Sequence, residues 1–133
     1  MKKLLLTLII IIFFLSIFYF INKEKFFCKN KQTIGYLLNN KNHCLLVADS
    51  PNEWSQGLMN FRKPVDFDGM VFIFPDKQSR TFWNKNTYLD LNVYWLEDDE
   101  IVGKSLLFSI EKTKKIVTVN SPDKVNKAIE IIK

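Results

Sequence analysis

Gly69-Met70-Val71-Phe72-Ile73-Phe74 is the stretch on which the fold turns. Five apolar residues follow a glycine without interruption, two β-branched and two aromatic, and Pro75 and Asp76 come next. That length and composition describe a strand with both faces buried, ending at the proline. A strand buried on both sides needs neighbours on either edge and a layer over at least one face, so the flanking sequence has to supply them.

On the C-terminal side the supply is mostly more strands. Thr81-Phe82-Trp83 is short and β-prone. Leu91, Val93 and Trp95 alternate with Asn92, Tyr94 and Leu96, and Ile101 to Ser109 repeats the strand signal after the acidic turn Asp98-Asp99-Glu100, which predicts a hairpin. Lys115 to Val119 is a further strand. On the N-terminal side, Ile34–Leu38 and Cys44–Ala48 flank the turn material Asn39-Asn40-Lys41-Asn42, a second hairpin.

Two helices complete the reading. Ser50-Pro51-Asn52-Glu53 is a capping box with proline at the first helical position, and Trp54 and Leu58 at i and i+4 give the helix one apolar face. At the end of the chain, Ser121 as N-cap, Pro122, and Val125, Ala128, Ile129 and Ile132 at i, i+3, i+4 and i+7 predict a second amphipathic helix. The expected class is α+β: a compact, mainly antiparallel β domain over residues 33–133 with two short amphipathic helices.

Upstream of that domain, Leu4 to Ile21 is eighteen uncharged residues broken only by Thr7 and Ser16. As a helix it is about 27 Å long, close to the thickness of a bilayer's hydrocarbon layer. The bulky Phe18-Tyr19-Phe20-Ile21 lacks the small residues a signal peptidase needs, so residues 1–22 read as an uncleaved transmembrane signal-anchor with lipid as its partner. Residues 23–32 read as a juxtamembrane linker. The short basic N-terminus, Lys2 and Lys3, stays in the cytoplasm in this layout and sends the domain across, which predicts a single-pass cell-membrane protein with an extracytoplasmic domain.

Of 19 basic residues two precede the anchor, leaving 17 against 14 acidic ones interleaved along the rest. Nucleic-acid binders cluster their cations on one face, so a nucleic-acid partner is not expected. Cys28 and Cys44, with fifteen residues between them, can pair in an oxidising compartment or remain two thiols.

Three ordered segments, Gly57-Leu58-Met59, Gly69-Met70-Val71-Phe72-Ile73-Phe74 and Phe82-Trp83-Asn84-Lys85-Asn86-Thr87, resemble the signature of the Domain of Unknown Function 192 family, whose members read G-L-M-x-R, G-M-L-F-x-F and F-W-M-K-N-T-x-I-P-L-D. The likeness runs from about Cys44 to Val119. It implies a compact, mainly β, exported or membrane-anchored prokaryotic domain and carries no established chemistry. Three departures mark this chain: an extra residue before Arg62, Asn84 in place of Met, and Leu89-Asp90-Leu91-Asn92 in place of I-P-L-D.

The most concentrated polar cluster is Lys85-Asn86-Thr87, set among Phe82, Trp83 and Tyr88. An ammonium, an amide and a hydroxyl beside an indole wall suit a small anionic or polar ligand. The competing reading has Asn86 and Thr87 tying down a turn. Arg62 and Arg80 offer planar forks for an anion, the simpler role for Arg62 being an ion pair with Asp66 or Asp68. Asn92, at the family's final Asp, completes the candidate ligand set of Arg62, Arg80, Trp83, Lys85, Asn86, Thr87 and Asn92.

Catalytic residues, metals and cofactors are not expected. The sole histidine, His43, lies near the predicted first turn and reads as exposed; Asp66 and Asp68 alone make a weak metal site; and the four glycines are too dispersed for a phosphate loop. The preferred function is a non-catalytic binding or interaction module of the cell envelope, whose partner is a small ligand or an envelope protein. The alternative is a small membrane-bound enzyme using Lys85 with Asn86 or Thr87.

Overall fold

The computed structural model describes residues 9–16 and 26–133. Residues 9–16 are helical (α1), with exposed apolar side chains from Ile9 to Leu15. The rest of the predicted anchor Leu4–Ile21 lies outside the described residues. Among the described residues no helix is long and apolar enough to cross a membrane.

From residue 33 the chain folds as β1 (Thr33–Leu38), β2 (Lys41–Ala48), α2 (Pro51–Gln56), β3 (Gly69–Gln78), β4 (Thr81–Trp83), β5 (Leu91–Glu97), β6 (Glu100–Leu107), α3 (Ile110–Thr113), β7 (Thr118–Asn120) and β8 (Val125–Ile132). Six strands make one sheet in the order β1-β2-β3-β8-β5-β6, and β4 pairs with β7 in a separate two-stranded ribbon. Every pair is antiparallel except β2 with β3, which are parallel and joined through α2. This is the expected compact, mostly antiparallel sheet with a few short helices.

Both predicted hairpins form. Asn39 and Asn40 alone close the first, each at a left-handed φ (49° and 61°), the geometry whose twist matches a two-residue hairpin. At α2, the Glu53 carboxylate reaches back to accept from the backbone N–H of Asp49 and Ser50, both at 3.0 Å. These bonds hold its pKa below the usual carboxylate range, the Ser50 hydroxyl contributing most. Gly57 ends the helix at φ 47°, a conformation a side chain would strain, and a Cβ there would press on the Phe72 ring at 3.3 Å.

Two expectations fail, for related reasons. The C-terminal segment is not a helix: Val125–Ile132 is β8, inserted between β3 and β5 at the centre of the sheet. Both faces of a central strand are buried, so its apolar residues satisfy a helical spacing as readily as an alternating one. Ser121, read as an N-cap, instead accepts a hydrogen bond from the Arg80 backbone N–H at 2.9 Å. The second short helix is α3, which no sequence signal had marked. Likewise β3 does not stop at Pro75 but runs on to Gln78, because its register against β8 breaks between Ile73 and Gln78 and the proline owes no ladder bond there.

Alternation divides the core in two. Met70, Phe72, Leu91, Val93, Trp95 and Ala128 project to one face of the sheet, where α2 and the β4–β7 ribbon cover them. Leu38, Leu45, Val71, Leu96 and Ile129 project to the other, packed with Tyr36, Val47, Tyr94 and Ile131. Backbones of β3 and β8 approach so closely at Gly69 that a Cβ would collide with the Glu130 carbonyl.

Candidate functional site

The covered face is not filled. Between α2, the end of β3 and the β4–β7 ribbon lies a cleft of ≈ 640 Å³, within the range of small-ligand sites. Its walls are largely aromatic: Trp54 lies 5.3 Å from Phe74 between ring centroids, and Phe72 4.7 Å from Phe82. Trp83 stands half exposed at the mouth. The Trp54 indole N–H donates to the Ala48 carbonyl at 3.1 Å, which anchors α2 over the sheet.

Glu130 sits on the floor. It belongs to β8, its backbone paired with Met70 on one side and Val93 on the other, and alternation sends its side chain into the covered face. The residue is 5 % exposed, and Oε2 is buried with no hydrogen-bond partner among the described residues. Burial alone pushes its pKa up to about 8, so at neutral pH most of it is the uncharged acid. Sequence reading missed it because the helical assignment put position 130 on the solvent face.

Arg80 is the other charged residue on the described wall. Its guanidinium stacks over the Phe74 ring at 4.0 Å and donates to Asp76 Oδ1 at 2.6 Å and to the Asp76 carbonyl at 3.0 Å. Nε is buried without a partner among the described residues.

Of the seven predicted ligand residues, Arg80, Trp83 and Thr87 line this cleft and the other four do not. Lys85 is exposed, its Nζ 5.1 Å from the Trp83 ring centroid. Asn86 is exposed at φ 51°, and its carbonyl accepts from the Asn60 N–H at 2.8 Å. Thr87 is buried; its N–H donates to the Asn84 carbonyl at 3.0 Å and its hydroxyl to the Lys85 carbonyl at 3.2 Å. Turn-making is what the bonds of Asn86 and Thr87 describe. Arg62 lies outside, stacked on Tyr88 at 3.5 Å and paired with Glu111 at 2.7 Å rather than with Asp66 or Asp68. Asn92 pairs with Ile131 on β8 and belongs to the opposite face of the sheet.

Asn84, where the family signature carries Met, is fully buried and holds the ribbon in place. Its amide donates to the Phe108 carbonyl at 3.0 Å and to Thr113 Oγ1 at 2.8 Å, while its oxygen accepts from the Val117 N–H at 2.8 Å. Asp90, in place of the family's Pro, accepts from the Ser109 N–H at 2.8 Å, and this bond, followed by Lys112, lowers its pKa. His43 is buried in β2 rather than exposed near the turn, and burial lowers its pKa despite the opposing field of Asp68. Cys28 and Cys44 are joined, with Cα atoms 5.5 Å apart. No group of acidic, histidine or cysteine residues among the described ones is arranged to hold a metal ion.

A six-stranded, mostly antiparallel sheet with a two-stranded ribbon and short helices over one face defines an α+β domain with a cleft beneath its cover. The family model of DUF192, described as "Uncharacterized ACR", matches residues 37–133, and the chain belongs to that family. Two solved structures are similar in fold. One is described as a "putative transcription regulator" from Sinorhizobium meliloti 1021, 24 % identical, with a TM-score of 0.54 over 75 % of this chain and 78 % of the other. The other is a protein of unknown function from Novosphingobium aromaticivorans DSM 12444, 19 % identical, with a TM-score of 0.55 over 75 % of this chain and 71 % of the other. At these identities the likeness is one of fold alone. No curated protein matches the chain.

Proposed function

We propose that the chain is a membrane-tethered, extracytoplasmic domain that binds a small ligand in the cleft under the β4–β7 ribbon and carries out no chemistry on it. One observation carries the reading: Glu130, whose buried Oε2 has no partner among the described residues, lies on the floor of an aromatic-walled cleft. An unpaired buried polar group costs folding free energy, and such costs are retained where a site uses them.

The tether rests on the uncharged run Leu4–Ile21, and the joined Cys28 and Cys44 suit an oxidising compartment. The Phe26 ring lies against Gly35, and Asn30 donates to Asp66 at 3.0 Å, so the cystine and these contacts bind the end of the linker to the sheet. That arrangement keeps the cleft near the bilayer and raises its effective concentration there. The enzyme alternative draws less support, since Lys85 stands outside the cleft and the Thr87 hydroxyl is engaged with the Lys85 carbonyl.

The test is a fragment screen by saturation-transfer NMR on the full chain, repeated on Thr118→Trp, which plugs the cleft mouth. Hits lost in the plugged variant support the reading, and a screen with none overturns it. For placement, a reporter active only in the cytoplasm, fused after Lys133, is expected to stay silent.

A further inference from the structure

Resting on that reading of the cleft, we propose that its ligand is a flat, apolar molecule presenting an oxygen acceptor, carbonyl or carboxylate, to Glu130, and that it is not an ammonium. A carboxyl ringed by aromatic residues first suggests an organic cation, which the ring faces and the carboxylate would both attract. The cations already present argue against it. Arg80, paired with Asp76, already lies over the Phe74 ring at 4.0 Å, and Lys85 Nζ, outside the cleft, lies 5.1 Å from the Trp83 ring at its mouth, so two of the rings an ammonium would seek are engaged by the chain's own cations.

The surroundings of Glu130 point the same way. Directly across the ladders from it stand Met70 on β3 and Val93 on β5, and Trp54, Leu58 and Phe82 from the cover belong to the cluster on the same face, none of them charged. Arg80, held to Asp76, is the other charged residue on the described wall. With no cation pairing it among the described residues and a pKa near 8, the carboxyl is an O–H donor at neutral pH, and a donor takes an oxygen acceptor. The aromatic walls take the flat apolar body.

The sign of the pH dependence follows. Below about pH 8 the donor is present and affinity is flat; above it Glu130 ionises, the donor is lost and a carboxylate faces the ligand's oxygen. Affinity then falls, approaching tenfold per pH unit. An ammonium ligand would show the reverse, binding more tightly as pH rises until the ammonium itself loses its proton.

Three probes of one size decide between these: benzoate, methyl benzoate and benzylammonium. Each is titrated between pH 6 and pH 10 into the full chain in phosphatidylcholine nanodiscs, reading the indole N–H resonances of Trp54 and Trp83, with Trp95 as a control outside the cleft. We expect benzoate or methyl benzoate to shift the first two with at least tenfold lower affinity at pH 9.5 than at pH 7. Tighter benzoate binding assigns an anion, tighter methyl benzoate an uncharged carbonyl compound. Glu130→Gln, which keeps a donor that does not titrate, should bind with no pH dependence, and Glu130→Met should lose binding at least tenfold. Benzylammonium binding that strengthens with pH overturns the proposal and leaves the cleft a binding site. Silence from all three probes overturns it too; if the fragment screen has given hits that the Thr118→Trp plug abolishes, only the ligand class falls, and without such hits the cleft reading falls with it.

Discussion

The two faces of the six-stranded sheet bury similar apolar side chains and finish the task differently. On the second face, Tyr36 and Tyr94 lie over the aliphatic cluster and lysines cap them, Lys104 Nζ 4.9 Å from the Tyr94 ring and Lys127 Nζ 5.9 Å from the Tyr36 ring. Long stems cover apolar surface while the ammonium heads stay wet, yet Ile34, Ile73 and Leu106 on this face remain exposed, so its own side chains close it only in part. The first face is roofed instead by a six-residue helix and a two-stranded ribbon, and beneath that roof lies a buried acid whose Oε2 has no partner among the described residues. The opening on the first face lies between the sheet and its cover, whereas the second face leaves apolar side chains directly in solvent.

Four experiments would sharpen or break that contrast. The largest effect is expected from pH. The folded-state pKa of Glu130 is raised to about 8, so between the ordinary carboxylate value and 8 the native state binds a proton that the unfolded state has released. Stability falls as pH rises through that window, by about 4 kcal/mol between pH 5 and pH 8. Urea denaturation across the range should show this fall in the wild type and lose most of it in Glu130→Gln.

Next comes the roof. Restoring the family residue with Asn84→Met strips partners from the Phe108 carbonyl, Thr113 Oγ1 and the Val117 N–H, and should cost about 3 kcal/mol. Amide exchange should quicken first in β4, β7 and α3, while β1 and β2 keep their protection. A loss spread evenly over both faces would show that the roof and the sheet are one cooperative unit.

A smaller change, about 2 kcal/mol, is expected on reducing Cys28–Cys44. That bond ties residue 28 to the β1–β2 edge, so a lowered melting temperature should come with unaltered probe binding in the cleft. The smallest effect belongs to Arg62→Ala. Its pair with Glu111 is exposed on both sides, exposed pairs contribute little, and neither the melting temperature nor probe affinity should move measurably.

How much of this was legible in the chain depends on how local the physics is. The hairpins were, because the asparagine and aspartate turns and the strict alternation Leu91-Val93-Trp95 each act within a few residues. The helix at Pro51 was legible from its capping residues for the same reason. Val125–Ile132 was not, since its apolar positions fit either period and only pairing with both β3 and β5 decides for the strand. The candidate site suffered most from that ambiguity. Lys85, Asn86, Arg62 and Asn92 looked chemical because they are polar and clustered or matched a motif, whereas Glu130 looked like surface.

By itself the sequence determined the class of domain, its family, the paired strands flanking a buried β3 and the uncharged segment ahead of them, all readable from runs, alternation and motif order. Tertiary structure alone decided that the last strand lies at the sheet's centre and that a glutamate comes to rest under aromatic rings. The reason is physical: which side of a strand is dry depends on what is laid over it, and most of that cover, α2 and β4, lies far upstream of β8 in the chain.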